Sequence, residues 1–223
     1  MFSYYQDPFC YYFWKPAGIP SSFGKEKSFL DYLLEQKQHN ESLADIVQSL
    51  YAFFGKEKEI WLLNRLDNET SGLLYFAKNP RVYKEFKQQQ SDFQLKKYYL
   101  AEVYGDICTF CKETYGQEKG VIKKEIAHHK FNTDRMVVIN SPSDIQKIKW
   151  IPHQLSTEII EIQFFPTTRT SVLLLCIQKG FRHQIRAHLS SIGFPICGDR
   201  LYSKSNHKDY PTLQLFSVGV ETI

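Results

Sequence analysis

The chain has 223 residues, 43% of them hydrophobic, with a net charge of +4 and a pI of about 8.6. That length and apolar content suffice for one large domain or two small ones around a packed core, and they exclude a disordered or fibrous chain. The mild positive balance permits an RNA-binding surface without demanding one.

No run approaches the roughly 20 apolar residues that span a bilayer. The start, Met1 to Asp7, lacks the basic head and apolar core of a secretion signal. The expectation is a cytoplasmic protein that engages no membrane. Phe9 to Trp14 is an aromatic-rich apolar run, ended by a rigid Lys15-Pro16-Ala17-Gly18-Ile19-Pro20 turn. Ser28 caps a predicted helix over Phe29 to Gln38, and Ser42 a second one with Leu43, Ile46, Val47, Leu50 and Phe54 at helical spacing. Ile60 to Leu63 and Leu73 to Ala77 read as strands. Between them lies the polar decapeptide from Asn64 to Leu73. Pro80 opens a predicted helix over Arg81 to Gln90. Tyr98 to Tyr104, Val121 to Ala127, Arg135 to Ile139, Thr157 to Phe164, Ser171 to Gln178 and Leu213 to Val220 read as strands, and Arg182 to Ser191 as a helix ending at Gly193. Pro142 to Pro152 reads as an exposed loop. Strands arrive in runs with a few helices inserted, so the expected class is α+β with a mostly antiparallel sheet.

The five cysteines (Cys10, Cys108, Cys111, Cys176 and Cys197) are odd in number and scattered, as expected of cytosolic thiols. Cys108 and Cys111 form a lone C-x-x-C that reads as a loop. Without a second pair it makes no structural zinc site, and no metal is expected. Phosphate-binding glycine loops, serine elbows and H-E-x-x-H are all absent from the sequence.

Asp67 is the first candidate for chemistry, as a carboxylate on a turn two residues from Arg65. The competing reading is a turn Asp that bonds its own backbone. The second candidate is the basic segment Lys179 to Leu189. There Arg182 and Arg186 share a helical face, either as an amphipathic surface helix or with an arginine turned inward to a carboxylate. Tyr98 and Tyr99 point to opposite sides of a strand, so one can pack while the other stacks on a base.

In this order the segments resemble the RluA-type RNA pseudouridine synthases. Lys15-Pro16-Ala17-Gly18 is similar to the family's K-P-A-G, Arg65 to Leu73 to R-L-D-x-x-T-S-G-L, and Lys97 to Ala101 to K-x-Y-x-A. His183 to His188, Gly193 to Ile196 and Gly198 to Tyr202 are similar to H-Q-I-R-x-H, G-x-P-I and G-D-x-x-Y. Two positions depart: Asn64 stands where His is usual, and Phe181 where Arg is usual.

The resemblance implies a pseudouridine synthase fold, a mostly antiparallel mixed sheet with flanking helices and a central active-site cleft. Only 14 residues precede Lys15, so the expectation is one catalytic domain over residues 1–223 without an S4 domain. It implies Asp67 as catalytic aspartate, with Arg186 paired to it and Tyr99 under the target uracil. Arg65 would enter the RNA where the nucleotide flipped out, with Lys97 and Ile185 as further substrate contacts. The partner would be ribosomal or transfer RNA, the protein a monomer, and the reaction free of cofactor. The alternative is a catalytically silent RNA-binding protein on the same scaffold.

Overall fold

The computed structural model describes residues 4–21, 27–36, 46, 61–203 and 209–222. The chain divides at Asp92 into two units, Met1–Asp92 and Phe93–Ile223.

In the first unit, β1 (Tyr4–Gln6), β2 (Cys10–Lys15) and β3 (Ser71–Ala77) pair antiparallel in that order. Asp7 makes the β1–β2 turn: its Oδ1 accepts from the Phe9 and Cys10 N–H groups at 2.7 Å, and its Oδ2 from the Tyr12 hydroxyl. The aromatic run therefore becomes a strand, with Phe13 turned into the core against Phe29 and Phe76. α1 (Phe29–Gln36) buries Phe29, Leu30 and Leu33, the apolar stripe that its spacing predicts. α2 (Pro80–Ser91) opens on Asn79, whose side chain accepts from the Val82 N–H at 3.0 Å, with Pro80 in the first turn. The second predicted helix, after Ser42, lies outside the described residues apart from a helical Ile46.

The predicted strand at Ile60 to Leu63 needs correcting. Ile60 lies outside the described residues, and Leu62 forms an isolated bridge to Phe76. The pairing stops at Asn64, because its side chain replaces the backbone ladder. Nδ2 donates to Leu73 O and Oδ1 accepts from Tyr75 N, both at 2.9 Å.

In the second unit six strands run antiparallel in the order β9-β4-β8-β7-β5-β6. They are β4 (Leu95–Tyr104), β5 (Gly120–His128), β6 (Met136–Val138), β7 (His153–Phe165), β8 (Thr170–Ile177) and β9 (Leu215–Thr222). All described ladders within each unit are antiparallel, and the class is α+β as expected. The C-x-x-C is not a loop: it lies on α3 (Ile107–Tyr115). Asp106 caps that helix by accepting from Thr109 N, and Gly116 ends it in the left-handed region at φ 70°. Pro142–Lys147 is an exposed 3-10 helix.

α4 (Gln184–Ser191) starts two residues later than predicted, since His183 takes a left-handed conformation at φ 53°. Residues Gln184 to Leu189 are all buried, and the helix packs on β5, β6 and β7. A surface amphipathic helix is thereby overturned: a short helix laid across a sheet and covered on its other side has no solvent face. No helix among the described residues is long and apolar enough to cross a membrane.

Candidate active site

The turn holding Asp67 belongs to the first unit, and it is pinned on each flank. Upstream, Asn64 is buried and locked to β3, and Ser21 Oγ both donates to Leu66 O (2.8 Å) and accepts from Leu66 N (3.0 Å). The turn closes by Thr70 N donating to Asp67 O at 3.0 Å. Next to Asp67, Asn68 O accepts from Gly18 N (2.8 Å) and from the Lys15 ammonium (2.9 Å). Lys15 is fully buried, and its Nζ also donates to Pro16 O and Ile19 O. Burial pulls that ammonium down to about 8, against the opposing pull of the Glu69 and Asp67 carboxylates. Asp67 is half-buried on this frame, and Arg65 is exposed. The frame fixes the backbone beneath the carboxylate while Arg65 stands out toward solvent.

The remaining candidates belong to the second unit. β4 alternates, so Lys97 and Tyr99 share its buried face with Ala101 and Val103, while Tyr98 points the other way and donates to Glu221 at 2.5 Å. The ladder to β9 slips one residue between Tyr98 and Tyr99. Such an irregularity re-aims the side chain beside it. The Lys97 ammonium lies beside Gly180, in the loop leading to α4.

On α4, Ile185 and Arg186 are both buried. Arg186 donates from Nε and Nη2 to the two carboxylate oxygens of Asp199, each at 2.8 Å, a parallel two-bond fork. Asp199 also accepts from the Leu201 and Tyr202 N–H groups. Burial by itself raises the Asp199 carboxyl; the bonds and charge of Arg186 outweigh that and hold it below the usual carboxylate range. The Tyr202 ring sits 5.5 Å from the Arg186 guanidinium, and its hydroxyl accepts from Met136 N and meets His183 Nδ1. Burial, then the Arg186 and Arg182 charges, push His183 down to about 3. Arg186 thus arrives pre-oriented, with its counter-charge supplied by the turn that follows α4.

The model of one family, described as RNA pseudouridylate synthase, matches residues 10–191, a span that takes in Lys15, Asp67, Tyr99 and Arg186. The chain belongs to the RNA pseudouridylate synthase family. Its relatives place it with the RluA type. It is 27% identical over 199 residues to the dual-specificity RNA pseudouridine synthase RluA of Vibrio parahaemolyticus, covering 87% of this chain and 66% of that protein. It is 28% identical over 145 residues to the ribosomal large subunit pseudouridine synthase D of Nitrosomonas europaea, covering 65% of this chain and 36% of that protein. The chain therefore spans between about a third and two thirds of the length of these relatives. The human RNA pseudouridylate synthase domain containing 1 superposes over the whole chain with a TM-score of 0.71 at 19% identity, a likeness of fold.

For this synthase-family chain, two of the residues that organise the candidate site had no role in the sequence reading: Lys15 and Asp199. The signal for each was present. A lysine inside K-P-A-G, between an aromatic strand and two prolines, has little water to reach. A buried arginine needs a carboxylate, and Asp199 is the acid of the next turn. Among the described residues no three His, Cys, Asp or Glu side chains gather as a metal site would need.

Proposed function

We propose that this chain folds as one catalytic domain and acts as an RNA pseudouridine synthase, working in the cytoplasm as a monomer on ribosomal or transfer RNA. Asp67 is its catalytic aspartate. The observation that carries the choice of Asp67 is the pinned turn: Asn64, Ser21, Gly18 and Lys15 all hold backbone around it, and the carboxylate itself stands half-buried at its head.

The reaction moves C1′ of one uridine from N1 to C5 of the same uracil. The N1–C1′ bond breaks, the C5–C1′ bond forms, C5 loses its proton and N1 gains one. Nothing is oxidised and no group is transferred away, so the stoichiometry calls for no cofactor. The uridine must first leave its stack, at a cost of a few kcal/mol. Arg65, exposed beside the turn, fills the gap left in the RNA. Tyr99 provides the aromatic face for the uracil, with Lys97 and Ile185 beside it, and Arg186, held by its fork to Asp199, is a further substrate contact. Asp67 then acts in one of two ways. It attacks C1′, or it removes the 2′ proton to give a glycal. A primary deuterium isotope effect at C2′ separates the two.

Tritium release from RNA labelled at C5 of uridine tests the proposal. Wild-type protein releases tritium, and Asp67→Asn reduces the rate by at least about 1,000-fold while keeping its far-ultraviolet circular dichroism. Equal release by both proteins removes Asp67 as the catalytic group. RNA binding by wild-type protein with no release supports the silent-scaffold alternative.

A further inference from the structure

The second unit exposes a group of large apolar side chains that the proposed reaction does not use. Phe131 is 79% exposed, Trp150 61% and Ile151 86%. They lie on two segments, the β5–β6 loop and the stretch after the 3-10 helix, and backbone bonds zip these segments together. His129 and Ile148 form a bridge, Lys130 N donates to Lys147 O at 2.6 Å, and Lys149 N donates to His128 O at 2.9 Å. The platform is tied to the start of α4 as well. Arg182 donates to Thr133 O at 2.9 Å, and the Phe181 ring packs 4.8 Å from His153 and 5.6 Å from His128. Phe181, the departure from the family's usual Arg, therefore packs against the two histidines that bound this segment.

Its net charge is positive. Between His128 and His153 stand Lys130, Arg135, Lys147 and Lys149 against Asp134 and Asp144. Asp144 is already bonded to Lys147 at 2.7 Å. The two lysines that remain beside the aromatics are placed alike: Lys130 sits 5.4 Å from the Phe131 ring centre, and Lys149 5.2 Å from that of Trp150. Each ammonium lies over a face of its exposed ring, and such a pair suits an unpaired nucleotide, whose phosphate draws the cation while its base stacks on the ring. A protein partner would gain the apolar area but would have to neutralise or desolvate the same two lysines.

We infer that Phe131, Trp150 and Ile151, with Lys130 and Lys149, form a second binding surface for unpaired RNA, gripping substrate outside the reaction centre. The choice of RNA rests on the RNA-modifying reading; the surface itself does not use Asp67, Arg65, Tyr99 or Arg186.

A 15-nucleotide oligoadenylate tests it, since it stacks strongly and holds no uridine to isomerise. Binding is read by fluorescence anisotropy of a labelled strand and by quenching of Trp150 emission, with a 15-base-pair RNA duplex as control. Phe131→Ala/Trp150→Ala, both at exposed positions, weakens oligoadenylate binding by about tenfold or more and leaves duplex binding unchanged. Lys130→Ala/Lys149→Ala lowers the slope of log affinity against log salt by about 1.4, the value for two lost single-strand phosphate contacts. Unchanged oligoadenylate affinity in a folded Phe131→Ala/Trp150→Ala protein overturns the inference. So does a wild-type dimer in sedimentation that this double variant dissolves with no change in RNA affinity, which assigns the surface to a second copy of the chain. The two proposals fail separately. Wild-type protein that releases no tritium yet binds oligoadenylate through Phe131 and Trp150 keeps the surface and rejects the isomerase. Tritium release with RNA affinity indifferent to both rings does the reverse.

Discussion

Lys15 shows how one side chain can organise a site without touching a substrate. Its ammonium is surrounded by the carbonyls of Pro16, Ile19 and Asn68, so it binds backbone, and the Asp67 turn inherits the order. Lys15→Met leaves those acceptors buried without their donor and lowers stability by about 2–3 kcal/mol, read from urea unfolding. The bonds reach Asn68 and not the Asp67 carboxylate. Tritium release at low temperature therefore falls by no more than about tenfold, where an ångström-scale misplacement of the carboxylate would cost about 100-fold. An unchanged urea midpoint would refute the structural role; a catalytic loss larger than the stability loss explains would make Lys15 a direct participant. Asp67 could be found in the sequence because a polar turn between two apolar runs stands out. The use of Asn64 could not. Its amide offers one donor and one acceptor that copy a strand residue, and that match depends on the register of β3, which no local pattern encodes. The Arg186–Asp199 fork was more legible, since a buried arginine needs a carboxylate and Asp199 is the acid of the turn that follows α4, 13 residues on.

At the scale of elements, the turn from Ile196 to Asp199 decides where α4 and Arg186 sit. Val103 bridges Ile196, Cys197 N donates to Glu102 O, and Gln214 N donates to Cys197 O, so this turn is wedged between β4 and the chain entering β9. Gly198 occupies the left-handed region at φ +75°, and an added Cβ would stand 2.0 Å from Thr212 O, a backbone atom that cannot swing away. Gly198→Ala is expected to cost about 3 kcal/mol or more and to take activity with it. Gly193, at φ +91°, makes a matched control: its added Cβ meets nothing within 4 Å, so Gly193→Ala carries the conformational strain alone, about 1–2 kcal/mol. Equal thermal shifts for the two variants would remove the steric argument. Alternation and apolar content made most strands legible, β4 and β8 to within a few residues. The ends of elements were not, since they are set by groups outside the periodic pattern. α4 begins where His183 turns left-handed. α3 exists because Asp106 and Gly116 cap a segment whose central C-x-x-C drew attention to cysteine chemistry and away from helix signals.

At the scale of the whole molecule, acid stability turns, among the described residues, on two histidines kept neutral by their setting. His188 is fully buried, with Nδ1 2.8 Å from Thr157 Oγ1; burial takes it down to about 4, against an opposing hydrogen bond to the Lys124 backbone. His183, half-buried, is pushed to about 3, with Arg186 and Arg182 facing it and Asp199 opposing them weakly. His128 shifts in the same direction. In the unfolded chain each histidine takes its proton near pH 6.5. Between pH 6.5 and about 4 the unfolded state therefore binds more protons than the folded one, so stability is complete above pH 6.5 and falls as pH drops through that window. The lowered carboxylates, Asp199, Asp7, Asp106, Asp144 and Glu118, add their losses further down, below the ordinary carboxylate range. The window above pH 4.5 thus belongs to the histidines. With His183 discounted for its solvent contact, the expected loss from pH 6.5 to pH 5 is about 2–3 kcal/mol, a large part of the 5–15 kcal/mol that holds a typical fold. Urea unfolding at pH 7, 6 and 5 reads this loss. In His188→Asn the slope against pH should fall by up to one proton, whatever the substitution does to stability at pH 7. A stability that stays flat from pH 7 to 5 would mean that the buried imidazoles accept protons inside the fold, and the neutral helix α4 would have to be abandoned.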